Sequence, residues 1–401
     1  MPRILIADDS IIFRRFMNDI ISSFEDYSVV GQAHNGKVTL QKIQELEPDI
    51  VTLDMEMPEI DGIQVLKAIQ NLKKKPSVIV VSSLTERGGS LTLKALQLGA
   101  FDFITKPQTG SLETARNELT NILKPRIRAL SLRHKVRGIL ERKPASALVE
   151  KTVDADSNLL YKGQAVQSGN VYVDKATSIA ESDVLDAPKV SIAKTVPQEP
   201  KMLPIPKIKP QMIVMGVSTG GPNALNYLIP SLPYTIGVPI FIVQHMPPLF
   251  TQSLALSLQK KTSMPVVEAQ NNTIAKPGCV YIAPGGKHMR IHSNSSDSIL
   301  IQITDDSPEN NCKPSVDYLF RSASQAFPGR ALSVILTGMG SDGTLGVRLL
   351  KRTGCVSLVQ DESSCVVYGM PKSVVDAGLA DAVIPLNQLA ETITNILRRW
   401  N

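Results

Sequence analysis

Gly216-Val217-Ser218-Thr219-Gly220-Gly221 directly follows the apolar run Met212 to Met215, so a small hydroxyl sits between glycines where a buried strand should turn into a helix. The chemistry such a corner supports is nucleophilic. Glycines let the backbone turn sharply and expose the Ser218 oxygen, and helix N–H groups then face a developing oxyanion. The same turn can also bind a phosphate or simply close a strand–helix corner, so the pattern needs partners. A serine nucleophile requires a base and a group that orients the base. Three histidines, His245, His288 and His292, lie in the C-terminal half. The last two fall in a segment that reads as a hairpin around Asn294-Ser295-Ser296-Asp297, which leaves His245 in Val243-Gln244-His245-Met246-Pro247. An adjacent strand end can place that imidazole beside Ser218, although a strand-end histidine can equally be a cap or a core residue. For the acid, Asp342 in Leu336-Thr337-Gly338-Met339-Gly340-Ser341-Asp342-Gly343 follows another apolar run and opens a helix, a position equally suited to an N-cap. Asp305, Asp306, Asp317 and Asp361 are its rivals. Glycines around Met339 allow close backbone approach, which suits an oxyanion donor.

A second constellation occupies the N-terminal part. Asp8 and Asp9 follow the first apolar run, Asp54 ends the third, Ser82 ends the fourth, and Lys106-Pro107 follows the fifth. In an open parallel sheet these carboxyl ends converge on one crevice. Carboxylates gathered there repel unless a cation lies among them, and Mg²⁺ suits a few carboxylates while keeping sites for water and a phosphoryl group. Asp54 could then attack a phosphoryl donor, with Lys106 neutralising the transferred charge and the Ser82 hydroxyl reporting it. Any one of these acids could instead be a helix cap, and Asp61-Gly62 reads only as a turn.

The elements that must position these groups are legible as runs. Ile4–Ala7, Val29–Ala33, Ile50–Leu53, Val78–Val81 and Phe101–Ile104 alternate with helical patterns such as Ile12, Phe16, Ile20 and Phe24. Uninterrupted apolar runs mean strands buried on both faces, hence a parallel sheet covered by helices, and residues 1–123 read as a compact doubly wound domain. Residues 124–210 change character. Lys124, Arg126, Arg128, Arg133, Lys135, Arg137, Arg142 and Lys143 face a lone Glu141 in a basic helical extension. A Pro-punctuated stretch from about 144 to 209 then reads as a long flexible linker. Residues 211–401 resume the alternation, with strands at Met212–Val217, Pro239–Val243, Val280–Ala283, Leu332–Leu336 and Val356–Val359. Helices are expected at Pro247–Leu258, Ser315–Ala326, Thr344–Leu350 and Leu389–Arg399, with an antiparallel hairpin near 288–304. The fold class is α/β, two doubly wound parallel-sheet domains joined by the linker.

Composition bounds the function. The 401 residues are 43% hydrophobic and 20% charged, ordinary for a globular chain. No apolar run approaches the ~18 residues needed to span a bilayer, and the N-terminus reaches acids too soon for a signal peptide, so a cytoplasmic location is expected. Cys279, Cys312, Cys355 and Cys365 form no metal-finger spacing and read as reduced thiols. His288 and His292 in a strand would stand ~13 Å apart, too far to share a zinc ion. The net charge of +6 is concentrated in 124–143. A C-terminal half that only binds, for instance nucleic acid through this basic stretch, is therefore the rival reading, but no helix-turn-helix signature accompanies it and no nucleic-acid partner is expected.

The set Asp8, Asp9, Asp54, Ser82 and Lys106 resembles the response-regulator receiver domain, flavodoxin-like, across residues 1–123. Gly216–Pro222, Gln244–Pro248, Leu336–Gly343 and Tyr368-Gly369-Met370-Pro371 together resemble the catalytic domain of chemotaxis protein-glutamate methylesterases, the CheB family, across 211–401. The resemblance implies Asp54 as phosphoacceptor, Asp8 and Asp9 as metal-binding acids with Mg²⁺ as the ion, Ser82 as switch hydroxyl (Ser83 follows it) and Lys106 before a candidate cis Pro107. It further implies Ser218 as nucleophile, His245 as base and Asp342 as orienting acid, with Thr219 and the Met339 N–H as oxyanion helpers. The order Ser–His–Asp differs from that of α/β-hydrolases and points to a separate, Rossmann-like sheet. Implied partners are methylated chemoreceptors, as substrates at receptor arrays, and a chemotaxis histidine kinase as phosphodonor. The implied reactions are ester hydrolysis and glutamine deamidation. No cofactor is implied for the esterase. The linker is longer than the family's usual one.

Overall fold

A computed structural model describes residues 1–107, 111–141, 205–294 and 298–400. Nearly all of the expected linker and the tip of the expected hairpin lie outside the described residues.

The N-terminal half runs β1 (Arg3–Ala7), α1 (Ile11–Ser22), β2 (Ser28–Ala33), α2 (Gly36–Leu46), β3 (Ile50–Asp54), α3 (Gly62–Ile69), β4 (Ser77–Ser82), α4 (Glu86–Gln97), β5 (Asp102–Thr105) and α5 (Leu112–Glu141). Its strands pair in parallel in the order β2-β1-β3-β4-β5. Every residue of β3 is buried, as an apolar strand covered on both faces requires. Helix starts follow local chemistry. Ser10, Asn35 and Thr85 each accept a backbone N–H at an N-terminus. Asp61 does more than turn the chain, because it forms a capping box with Gln64 that opens α3. The basic stretch continues α5 as a helix through Pro125. Within it, Lys124 lies over an aromatic face, its Nζ 5.4 Å from the centre of the Phe24 ring.

The C-terminal half runs β6 (Met212–Val217), α6 (Gly221–Ser231), β7 (Ile240–Gln244), α7 (Phe250–Gln259), β8 (Val266–Glu268), β9 (Thr273–Ile274), β10 (Val280–Ile282), β11 (His288–Ser293) and β12 (Ile299–Thr304). It continues with α8 (Val316–Ala326), β13 (Ala331–Ile335), α9 (Thr344–Arg352), β14 (Val356–Gln360), α10 (Met370–Asp376), β15 (Ala382–Ile384) and α11 (Leu386–Arg398). Seven parallel strands form the order β15-β14-β13-β6-β7-β10-β8, so β6 lies at the centre where the winding direction reverses. The antiparallel pair β11–β12 extends to β9 in a separate sheet. His288 and His292 sit in β11 as expected, their Nε2 atoms bonded to the Ser307 carbonyl and to Gln302 Oε1.

The two halves pack against each other. One apolar cluster contains Leu93, Leu96 and Phe103 of the first together with Leu225, Phe250 and Leu254 of the second. The rings of Phe103 and Phe250 stack at 5.0 Å with 7° between their planes. Asn223 Nδ2 donates to the Leu96 carbonyl at 2.8 Å, and Thr219 Oγ1 donates to Asp102 Oδ2 at 2.7 Å.

Candidate active site and receiver site

Parallel register brings the first two candidate groups together. Val217 of β6 lies opposite Gln244 of β7, so Ser218 and His245 leave neighbouring strand ends side by side. The His245 N–H donates back to the Val217 carbonyl at 3.1 Å. Ser218 is half-buried at the corner, its N–H bonded to the Thr337 carbonyl at 3.0 Å. Gly220 completes the corner with φ of +79°, a left-handed conformation that disfavours any side chain. On the other side, a Cβ on Gly338 would come within 2.8 Å of Ser218 Cβ and 2.4 Å of Met370 Sδ. The Gly338 carbonyl accepts from Gly369 and Met370, which joins the loop after β13 to the start of α10. Among the described residues the Ser218 hydroxyl makes no hydrogen bond to His245.

Asp342 is buried and bonds His245 Nε2 through Oδ2 at 2.8 Å. It does not cap its own helix. It instead takes N–H groups of Val316 (2.7 Å) and Asp317 (3.1 Å) from the first turn of α8, the Ser315 hydroxyl (2.9 Å) and Asn310 Nδ2 (3.0 Å). The N-terminus of α8 thus holds the carboxylate with its partial positive charge. Asp317 reciprocates, accepting the Gly346 N–H of α9 at 2.6 Å, and Asn310 bridges both carboxylates. Burial pushes Asp342 up, but the bond and charge of His245 and these backbone donors outweigh it and hold the carboxyl at about 2. Burial works against a charged His245, yet Asp342 and the nearby Cys312 raise the imidazole to about 9. Asp342 is thus an ionised acid set to orient and charge an imidazole beside a serine. Such an arrangement can perform acyl transfer.

Residues 213–393 match the family model described as CheB methylesterase, and residues 4–116 match that of the response regulator receiver domain. A protein-glutamate methylesterase/protein-glutamine glutaminase of Desulfotalea psychrophila is 42% identical over 399 residues, 99% of this chain and 99% of its own. The chain belongs to the CheB methylesterase family. The protein of the same name from Bacillus subtilis is 36% identical and aligns with 100% of this chain and 99% of its own. The crystal structure of the Thermotoga maritima CheB methylesterase catalytic domain, 39% identical, covers 47% of this chain and 100% of its own at a TM-score of 0.46.

The receiver of this CheB-family chain gathers its candidate acids as the strand ends predict. One ligand atom from each of Asp8, Asp9 and Asp54 lies within 4.8 Å of the others, a hard-oxygen set that fits Mg²⁺. Lys106 Nζ bridges Asp8 Oδ2 and Asp54 Oδ2, 2.8 Å from each. Burial raises Asp54 to about 6 despite Lys106, with Asp8 adding to the rise. The Ser82 hydroxyl is buried and turned to the Gly88 carbonyl of α4, while Ser83 Oγ donates to Glu56. The Lys106–Pro107 bond is trans, against the expected cis form, and the cis peptide among the described residues joins Lys313 to Pro314.

The two helper positions lie at the junction of the halves. Thr219 is buried with its hydroxyl on receiver Asp102, whose Oδ2 also takes Arg126 Nε at 2.8 Å. The Met339 N–H donates to none of the described residues, and Met339 lines a cavity of about 510 Å³ with Thr120, Lys124 and Arg128 of α5 and with Val367. Sequence marks neither Asp102 nor Asn310 as part of the site, and it marks Cys312 only as a reduced thiol. None stands at a glycine-flanked strand end, and each meets the site only through a contact distant in sequence.

Proposed function

We propose that this chain hydrolyses glutamate γ-methyl esters on the cytoplasmic helices of chemoreceptors, releasing methanol, and deamidates selected receptor glutamines, under phosphorylation control in chemotactic adaptation. The observation that carries this reading is the His245–Asp342 pair standing beside Ser218 at the reversal point of the parallel sheet. Ser218 Oγ attacks the γ-carbonyl while His245 takes its proton, and the same imidazole protonates the departing methanol. Water then attacks the acyl-serine with His245 again as base, leaving glutamate. With a glutamine substrate the leaving group is ammonia. The Met339 N–H, with no other partner among the described residues, is the candidate donor to the oxyanion.

Control enters through the receiver. Asp54 accepts a phosphoryl group from a histidine kinase, and Asp8, Asp9 and Asp54 would hold the Mg²⁺ that neutralises phosphoryl oxygens. Lys106, released from Asp54 and Asp8, follows the new charge. The receiver grips Thr219 beside the nucleophile and lays α5 near Met339, so its docked position restricts access of a receptor helix to Ser218. The test is methanol release from methylated receptor membranes. Ser218→Ala should abolish it in a folded protein, and near-normal release would overturn the mechanism.

A further inference from the structure

The loop between β12 and α8 reaches both members of the catalytic pair. Asn310 bonds Asp342, and Cys312 Sγ lies 3.8 Å from His245 Nδ1. The position of the thiol is enforced. Glu309 and Cys312 exchange backbone hydrogen bonds of 3.1 and 2.9 Å around Asn310 and Asn311, whose φ angles of 55° and 57° are left-handed. Glu309 is clamped in turn by Arg321 of α8 through two bonds of 2.7 and 2.6 Å.

This geometry bears on the base. Nε2 of His245 is taken by Asp342, which leaves Nδ1 as the nitrogen able to accept the Ser218 proton. Cys312 occupies that same nitrogen. A thiol is a far stronger acid than a serine hydroxyl, and an imidazole backed by a carboxylate is the setting in which thiols ionise. We propose that Cys312 is a positioning residue of this site, engaging Nδ1 of His245 at rest and so setting how much base is free for Ser218. The inference rests on the esterase reading above. The proton moves from Sγ to Nδ1, giving a thiolate beside an imidazolium that Asp342 stabilises, and the reverse transfer restores the neutral base.

Among the described residues, few titratable groups face His245. Asp342 and Cys312 touch the ring, and Asp317 stands behind Asn310. Lys313, next to Cys312, is turned away to Asp305 at 2.7 Å. Cys312 adds both a bond and a charge to the forces that raise His245.

The experiment compares full-length wild type with Cys312→Ala and Cys312→Ser. Methanol release from methylated receptor membranes is followed across neutral to alkaline pH, and thiolate is read by its ultraviolet absorbance. In both variants the rising limb of kcat/KM should move about one pH unit toward acid, raising the rate at neutral pH about tenfold. The thiolate signal should persist in Ser218→Ala and vanish in His245→Ala and in both Cys312 variants. Unchanged pH profiles in both Cys312 variants, or a thiolate signal indifferent to His245→Ala, would overturn the proposal. If no form releases methanol the esterase reading fails by itself, and the absorbance still decides whether the thiol engages His245.

Discussion

Removing the Asp102 carboxylate should unlock the unphosphorylated enzyme. Asp102 begins β5 of the receiver, where Oδ1 accepts the Phe103 N–H at 2.9 Å and Oδ2 takes Arg126 Nε and the Thr219 hydroxyl. Only the Thr219 bond crosses to the catalytic half, and it does so one residue from the proposed nucleophile. A hydrogen bond to a charged group is worth about 1.5–3 kcal/mol, which converts to roughly 10- to 150-fold in the ratio of docked to open receiver. Asp102→Ala should therefore raise methanol release by unphosphorylated full-length protein within that range, up to the ceiling reached when the receiver is fully open. The gain from added phosphodonor should shrink correspondingly. The stacked Phe103–Phe250 pair survives this change and contributes about 0.5–1.5 kcal/mol beyond its buried area, so Asp102→Ala with Phe103→Ala should open further. The assay is initial methanol release from methylated receptor membranes with and without a small phosphodonor. A folded Asp102→Ala protein with the wild-type resting rate and an undiminished phosphodonor response would refute the reasoning. A fall in activity would refute it too, because it would mean that Asp102 supports the site.

Further outcomes follow from single contacts. Gly338→Ala places a methyl within 2.8 Å of Ser218 Cβ, so kcat should fall at least tenfold while the circular dichroism spectrum persists. Asp54→Ala should form no base-labile acyl phosphate with a small phosphodonor and Mg²⁺, and labelling that survives the change would place the acceptor elsewhere. The His245–Asp342 pair should mark stability with pH. Asp342, depressed from 3.8 to about 2, contributes above its unfolded value and loses that contribution as pH falls toward 2. His245, raised from 6.5 to about 9, contributes below its unfolded value and loses that as pH rises toward 9. Urea titrations of wild type against Asp342→Asn should therefore differ most between these two unfolded values, and a gap that widens in alkali would contradict the assigned shifts.

Much of this architecture is determined by local sequence. β6 spans Met212–Val217, as its apolar run predicts, and the other long central strands agree within a residue or two because burial on both faces leaves little choice but aliphatic side chains. The short strands β8, β9 and β15 have no such signal, because two or three part-exposed residues carry no period. Strand ends likewise announce Asp8, Asp54, Ser218 and His245, since carboxyl ends of parallel strands converge whatever the details. Spacing alone does not decide which aspartate serves His245. Asp342 and Asp317 both sit near helix starts, and the choice lies in how α8 and α9 exchange carboxylates across their N-termini. Asp102 looks like any strand residue until packing sets it against Thr219, 117 positions away. Cys312 looks like an ordinary thiol until a left-handed turn carries it to His245. Sequence by itself determines which elements form and which ends carry chemistry, because those depend on periodicity and on near neighbours. Tertiary structure alone decides which groups meet, because a proton or a hydrogen bond acts over about 3 Å and responds to position in space, not along the chain.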